Sequence, residues 1–381
     1  MKKYILYTAA IMATDGEIQV VVVNGGGGGG GSTTGQTITL QGRINADTVL
    51  RKANSYILKG IVYMVGNHTM TIEAGTVIKG SFSGSDVAAL VITRGSKIIA
   101  PGTATDPIIF TSLSPNPQSG DWGGIVLCGK AGYNLSYNGT AGLYQVEGGI
   151  DNANGDGLAG SGDAVAPTPV ANDNSGVLQY VRIEYAGYAF QPDKEINSLT
   201  MAAVGSGTII DHIQVTYAKD DAFEWFGGSV NCSYLIAYKT QDDDFDTDNG
   251  YNGKVQFGLV LRDSLIADIS TSEAFESDGN ATGTTAAPKT TAIFSNITAI
   301  GPRATLNNLG STLFRGATHI RRNSGISIFN SIIMGWPRGI EIDATTGTST
   351  ALNIEDSTLR LRNITLAGNT VHTRFTGTPG A

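Results

Sequence analysis

An all-β solenoid, a single-stranded parallel β-helix, is the fold this sequence predicts, and three observations predict it. Short apolar segments open at Val181, Ile213, Leu235, Leu265, Ile297, Ile332 and Ile364, at offsets of 32, 22, 30, 32, 35 and 32 residues. A period in this range marks an array whose repeats bury their apolar faces only by stacking on neighbours. In step with three of these segments, ten residues on, an acid-Phe-acid triplet recurs. The copies are Asp221-Ala222-Phe223-Glu224, Asp243-Asp244-Phe245-Asp246 and Glu273-Ala274-Phe275-Glu276. Each is followed by a turn, at Gly227-Gly228, Asn249-Gly250 and Gly279-Asn280. Lastly, the segments alternate with period two and are rich in Ile, Val, Leu and Thr, while no stretch after residue 40 sustains a 3.6-residue apolar period. Those patterns belong to strands, not helices.

Residues 1–13 begin with Lys2-Lys3 and run on through a short apolar stretch, the make-up of a secretory signal segment. An N-terminal strand or a disordered end is the other reading. The stretch is too short to cross a membrane. Residues 14–35 contain Val20 to Val23 and then the unbroken glycines Gly25 to Gly31, which read as a flexible tether. Residues 36–375 form the expected β-helix domain. Its first coils alternate and turn at glycine, as in Thr69-Met70-Thr71-Ile72-Glu73-Ala74-Gly75 and Leu90-Val91-Ile92-Thr93-Arg94-Gly95. Residues 132–175 are rich in Gly, Asn, Asp and Ala and show little period, so they read as a long excursion from the coil. Residues 376–381 are a loose tail.

The run Gly102-Thr103-Ala104-Thr105-Asp106-Pro107-Ile108-Ile109-Phe110-Thr111 resembles a coil found widely in right-handed, pectin-lyase-like β-helices. Asp121-Trp122-Gly123-Gly124-Ile125, Tyr180-Val181-Arg182-Ile183-Glu184-Tyr185-Ala186-Gly187 and Asp242-Asp243-Asp244-Phe245-Asp246-Thr247-Asp248-Asn249-Gly250 extend the likeness. Together they are similar to a group of Gram-negative bacterial surface β-helix proteins of unassigned activity. The resemblance implies a right-handed coil, and a chain secreted or held at the outer cell surface. It concerns fold and family and assigns no reaction.

The net charge of −8 disfavours nucleic acid and anionic membranes as partners, since both need a basic face. The two cysteines, Cys128 and Cys232, lie too far apart in sequence to suggest a disulfide framework and read as small buried hydrophobes. The four histidines share no metal-ligand spacing, which argues against zinc.

Aligned by coil, Phe223, Phe245 and Phe275 are expected to stack inside, joined by Ile342. Their neighbours Glu224, Asp246, Glu276 and Asp343 then point outward, with Asn308 filling the intervening coil. A second acidic row holds Asp221, Asp243 and Glu273. Coils spaced about 4.8 Å apart bring like charges within roughly 3 kcal/mol of repulsion per neighbour at an effective dielectric near 20. A Ca²⁺ ion bridging coils turns that repulsion into attraction. The candidate ligands are therefore Asp221, Glu224, Asp243, Asp244, Asp246, Asp248, Glu273 and Glu276. Asp244 to Gly250 resembles the start of an EF-hand loop, but Val255 stands at the twelfth position, so an EF-hand is rejected. A merely solvated acidic face and catalytic carboxylates are the competing readings.

Three functions remain open on this sequence. The first is a Ca²⁺-stabilised binding or structural module, with an extracellular polysaccharide as partner. The second is a polysaccharide lyase or glycoside hydrolase using Asp246, Glu276 or Glu224. Against it, the G-H-G and R-I-K elements of polygalacturonases are missing. The third is a self-assembling extracellular fibre whose partner is another copy of the chain. Trp225-Phe226 reads as a sugar platform or as packing, and Arg315, Arg321, Arg322 and Arg338 pair with neighbouring acids or bind an anionic glycan.

Overall fold

Each coil carries three strand segments, and each segment pairs in parallel with its counterpart one coil away, as in Ile209–Thr216 on Asn231–Tyr238 and Phe223–Phe226 on Phe245–Asp248. The computed structural model describes residues 21–23, 35–150, 153–191, 194–303 and 310–377. The expected signal segment and Asn308 lie outside these residues. Val21–Val23, inside the expected tether, pairs antiparallel with Thr37–Thr39 on the first coil.

A corner of one residue separates the first strand segment from the second. Tyr180, His212, Tyr234, Phe257, Asn296, Asn330 and Asn363 occupy it in successive coils, all with φ between 47° and 62°. The third segment of each coil builds the sheet that matters for chemistry. In its register Leu199, Phe223, Phe245, Phe275, Thr318 and Ile340 lie side by side. Phe223, Phe245 and Phe275 are fully buried, with ring centroids 5.8 and 5.4 Å apart, and Phe294 packs against the last two.

Three alignments expected from sequence are corrected by this register. Leu265 opens no strand and is 80% exposed; the counterpart of Leu235 and Ile297 is Gly258. Glycine stands there because a Cβ would come within 2.8 Å of Ile297 Cδ1 and 3.2 Å of the Phe245 ring. Ile332 faces outward, and the inner place is taken by Ser331, whose hydroxyl donates to Phe329 O and accepts from Ile297 N–H. Ile342 pairs with Ile320, so Ile340 continues the Phe row, Glu341 takes the place expected for Asp343, and His319 takes the place expected for Asn308.

The excursion folds back over the coil. Leu143–Gln145 and Leu158–Gly160 form a hairpin, and Tyr133, Val146, Ile150 and Ala159 cover Val91, Val126, Cys128, Ala202 and Phe226 on the outer face of the third sheet. Cys128 and Cys232 are free and buried. Trp225 is buried against Tyr251 and Phe226 packs on Tyr144, so both aromatics serve packing.

Candidate metal centre on the third sheet

Beyond the apolar patch under the excursion, the outer face of the same sheet turns acidic. The strand register aligns three outward rows. One runs Thr200, Glu224, Asp246, Glu276, His319, Glu341. Two residues before the Phe, Asn197, Asp221, Asp243 and Glu273 form a ladder of side chain to main chain. The Asp221 N–H donates to Asn197 Oδ1, the Asp243 N–H to Asp221 Oδ1 at 2.9 Å, and the Glu273 N–H to Asp243 Oδ1 at 2.6 Å. Two residues beyond Asp246 and Glu276, Asp248 and Asp278 start the third row, joined by the Asp278 N–H to Thr247 O bond.

These carboxylates are far less solvated than alternation alone suggests. Asp221, Glu224, Asp243 and Glu273 are buried, and Glu147 of the excursion and Glu195 of the hairpin Ala189–Gln191/Lys194–Glu195 lie near enough to help raise Asp220. Burial first, and adjacent carboxylates second, push Asp221, Glu224, Asp243 and Asp246 well above the usual carboxylate range. The same causes raise Glu273 to about 8 and burial raises Asp242 to about 7. Glu273 Oε2 and Asp246 Oδ1 are buried with no hydrogen-bond partner.

The face has two electrostatically distinct halves. Toward the C-terminal end Glu276, Asp278 and Glu341 each have a cation. Arg321 pairs with Glu276 and, at 2.8 Å, with Asp278; Arg322 reaches Asp278 at 2.6 Å. Arg315 and Arg338 hold Glu341 at 3.1 and 2.7 Å. The four arginines thus pair with acids on their own and neighbouring coils. Toward the excursion, among the described residues, no Arg or Lys forms an ion pair with Asp220, Asp221, Glu224, Asp242, Asp243 or Asp246. Oxygens of Asp221, Glu224 and Asp246 lie within 4.8 Å of one another, and so do those of Asp220, Asp221 and Asp242. Two ligands across one Ca²⁺ sit up to about 5 Å apart, so either trio suits that ion.

Other candidates fall elsewhere. Asp244 turns into the coil, where Arg262 pairs with it at 2.8 Å; both are fully buried, and the guanidinium lies over Phe314 and Trp336. Asp248 stands at the edge of the face and accepts the Asn249 N–H. Glu273 and Glu276 group with His319, itself flanked by Arg321 at 3.3 Å. Sequence reasoning missed Asn197, Asp220, Asp242 and His319. Asp220 and Asp242 repeat the 22-residue offset of Asp221 and Asp243 and were legible there. His319 was hidden because its coil is longer than the period used to align it.

A coil of three parallel sheets, walled on one face by an excursion and lined there with acids, is the setting in which the comparison with known families is decisive. The description "Pectate-lyase like beta helix domain" matches residues 42–379. The chain belongs to this family. The pectate-lyase-like β-helix family includes polysaccharide lyases and hydrolases, so membership establishes the fold and leaves the reaction open. No curated protein matches the chain. Among the described residues, no helix of this pectate-lyase-like chain is long and apolar enough to cross a membrane.

Proposed function

We propose that this pectate-lyase-like β-helix is a secreted or surface-held binding and structural module that takes Ca²⁺ on its acidic face. The ion sits between adjacent coils at Asp221, Glu224 and Asp246, with Asp220, Asp242 and Asp243 supplying further negative charge. One observation carries this reading: carboxylates from neighbouring coils converge within 4.8 Å, Asp221 and Glu224 buried and Asp246 half-buried, with no ion pair to Arg or Lys among the described residues, where the other half of the same face is matched by arginines. Leaving such charges unpaired in a poorly solvated site is costly. A hard cation with oxygen ligands removes the cost, and the coordination places left over can accept water or a glycan oxygen. Terbium, a luminescent Ca²⁺ mimic, is expected to bind the folded chain and to be displaced by Ca²⁺. Absence of binding, or binding unchanged in Asp246→Asn, contradicts the assignment.

A catalytic reading rests on a different property of the same residues. Burial raises both Asp246 and Glu276 above the usual carboxylate range, the direction a general acid needs, and the two are adjacent on paired strands. Retaining and inverting hydrolases hold their carboxyls about 5–5.5 and 6.5–9.5 Å apart. The oxygens of Asp221, Glu224 and Asp246 are closer than either spacing, which favours an ion over a substrate between them. Release of reducing or unsaturated ends from a polysaccharide panel, abolished in Asp246→Asn, would decide for catalysis.

A further inference from the structure

At the corner between the first and second sheets, away from the acidic face, a groove of about 610 Å³ runs across successive coils. Its floor is the row of left-handed corner residues. Asparagine, which tolerates φ near +60°, fills that row from Asn296 onward, at Asn330 and Asn363. In the four coils before it the row is aromatic: Tyr180, His212, Tyr234 and Phe257, with φ of 47°, 54°, 55° and 62°. Bulky aromatic side chains are uncommon in this backbone region and disfavoured there. Their rings stack at centroid distances of 4.2, 4.2 and 4.8 Å, and Tyr234 and Phe257 remain 45% and 40% exposed. A fold that needs only a corner has asparagine available, as the next three coils demonstrate. Three strained aromatics and a histidine stacked in one row, two of the rings exposed, therefore call for a reason outside the fold.

The groove has a defined length and a defined chemistry. In earlier coils the corner is a loop, and Thr103, Ala104 and Pro107 of that loop wall one end; the asparagine row begins at the other. Ile236 and Leu259 form an apolar flank, and Gln214, Asn296 and Arg182 bring polar groups to it. Arg182, the one residue of fixed charge in the lining, is paired with Glu184 at 2.9 Å. The lining is thus close to neutral in a chain of net charge −8. A pocket of this size, mostly apolar with a few convergent polar groups, has the make-up of a ligand site. A peptide strand finds no sheet edge here, because the backbone on both sides of the corner is already paired from coil to coil.

We infer that this groove binds an uncharged oligosaccharide lying along the coil axis, its pyranose C–H surfaces on the aromatic row and on Ile236 and Leu259, its hydroxyls on the amides of Gln214 and Asn296. This inference stands on the groove alone and is independent of the cation site.

Calorimetric titration of the full chain with cellohexaose, xylohexaose and mannohexaose, in EGTA throughout, tests it, with hexagalacturonate as the charged control. At least one neutral hexasaccharide is expected to bind and hexagalacturonate to fail. Tyr234→Asn with Phe257→Asn copies the asparagine of the later coils, so the melting temperature should hold while affinity falls by about tenfold or more. Leu259→Asn, on the flank, should weaken binding in the same direction if the double variant folds poorly. No neutral hexasaccharide bound at millimolar concentration, or wild-type affinity in these variants, overturns the inference. So does a wild-type dimer that the double variant dissolves, since a second copy would then be the occupant. Loss of the calcium response leaves this binding intact, so the two readings fail separately.

Discussion

Arg262 shows how closely a single side chain can be tied to this coil. Its Nε donates to Asp244, one Nη to Thr240 O, and the other to the Asp242 and Glu273 carbonyls, all out of solvent. Removing one partner of a buried ion pair costs about 3–5 kcal/mol, so Arg262→Met should lose that much in urea unfolding. Burial raises Asp244 to about 7 even beside the guanidinium. In Arg262→Met the lone carboxyl should be tolerated better at pH 5, where it is protonated, than at pH 8. The double variant Arg262→Met/Asp244→Leu should recover most of the loss; if it does not, the carbonyl contacts carry the stabilisation instead. On the outer face the balance is opposite. Among the described residues Asp246 forms no ion pair with Arg or Lys, and its Oδ1 is orphaned, so in EGTA at pH 8 Asp246→Asn should stabilise the chain. A lower melting temperature in that variant would contradict the account of an unneutralised face.

The element that sets register is the third strand of each coil. Phe223, Phe245 and Phe275 are spaced by parallel pairing, Phe245 packs on Phe294, and its ring lies 3.2 Å from where a Cβ on Gly258 would stand. Phe245→Ala should cost about 3–5 kcal/mol by leaving a cavity among neighbours fixed from both sides. Gly258→Ala should destabilise by about 1–3 kcal/mol through overpacking against Ile297 and Phe245, measured by the same unfolding curves. These two residues also explain what was legible in the sequence. The Phe repeat could be read because aromatic volume at one coil position is hard to replace. The strand start opposite it could not, because Ile297 and then Phe245 crowd the place where a Cβ would stand at Gly258, and the aliphatic residue nearest the expected spacing, Leu265, is exposed. Ser331 misled in the same way, with Ile332 beside it facing solvent. Ile332 in place of Ser331 is a one-residue slip, which exchanges inside for outside, whereas Asp343 in place of Glu341 is a slip of two, which keeps the outward face and shifts the coil partner. The clustering of acids was legible as two rows. Their wider charge environment was not, since Glu147 and Glu195 reach it from an excursion and a hairpin that carry no period.

At the scale of the whole molecule, the chain is a solenoid with an arginine-matched acidic half and an unmatched one. Proton linkage gives the unmatched half a sign. Asp242 in that half is raised to about 7 in the folded state, and Glu273, on the border with the matched half, to about 8, against about 4 in the unfolded chain. Between those limits the folded form binds more protons than the unfolded form, so stability falls as pH rises through that window. In EGTA the melting temperature should therefore drop from pH 5 to pH 8. Calcium competes with those protons, so its effect should grow over the same range. The measurement that bears most directly on the account is the melting temperature of the full chain at pH 8 in EGTA and across a Ca²⁺ titration, alongside Asp246→Asn. The account predicts a rise with Ca²⁺ in the wild-type chain, as for any ligand that binds only the folded state, and little or none in Asp246→Asn. No shift in the wild-type chain at millimolar Ca²⁺, or an equal shift in both, would contradict it.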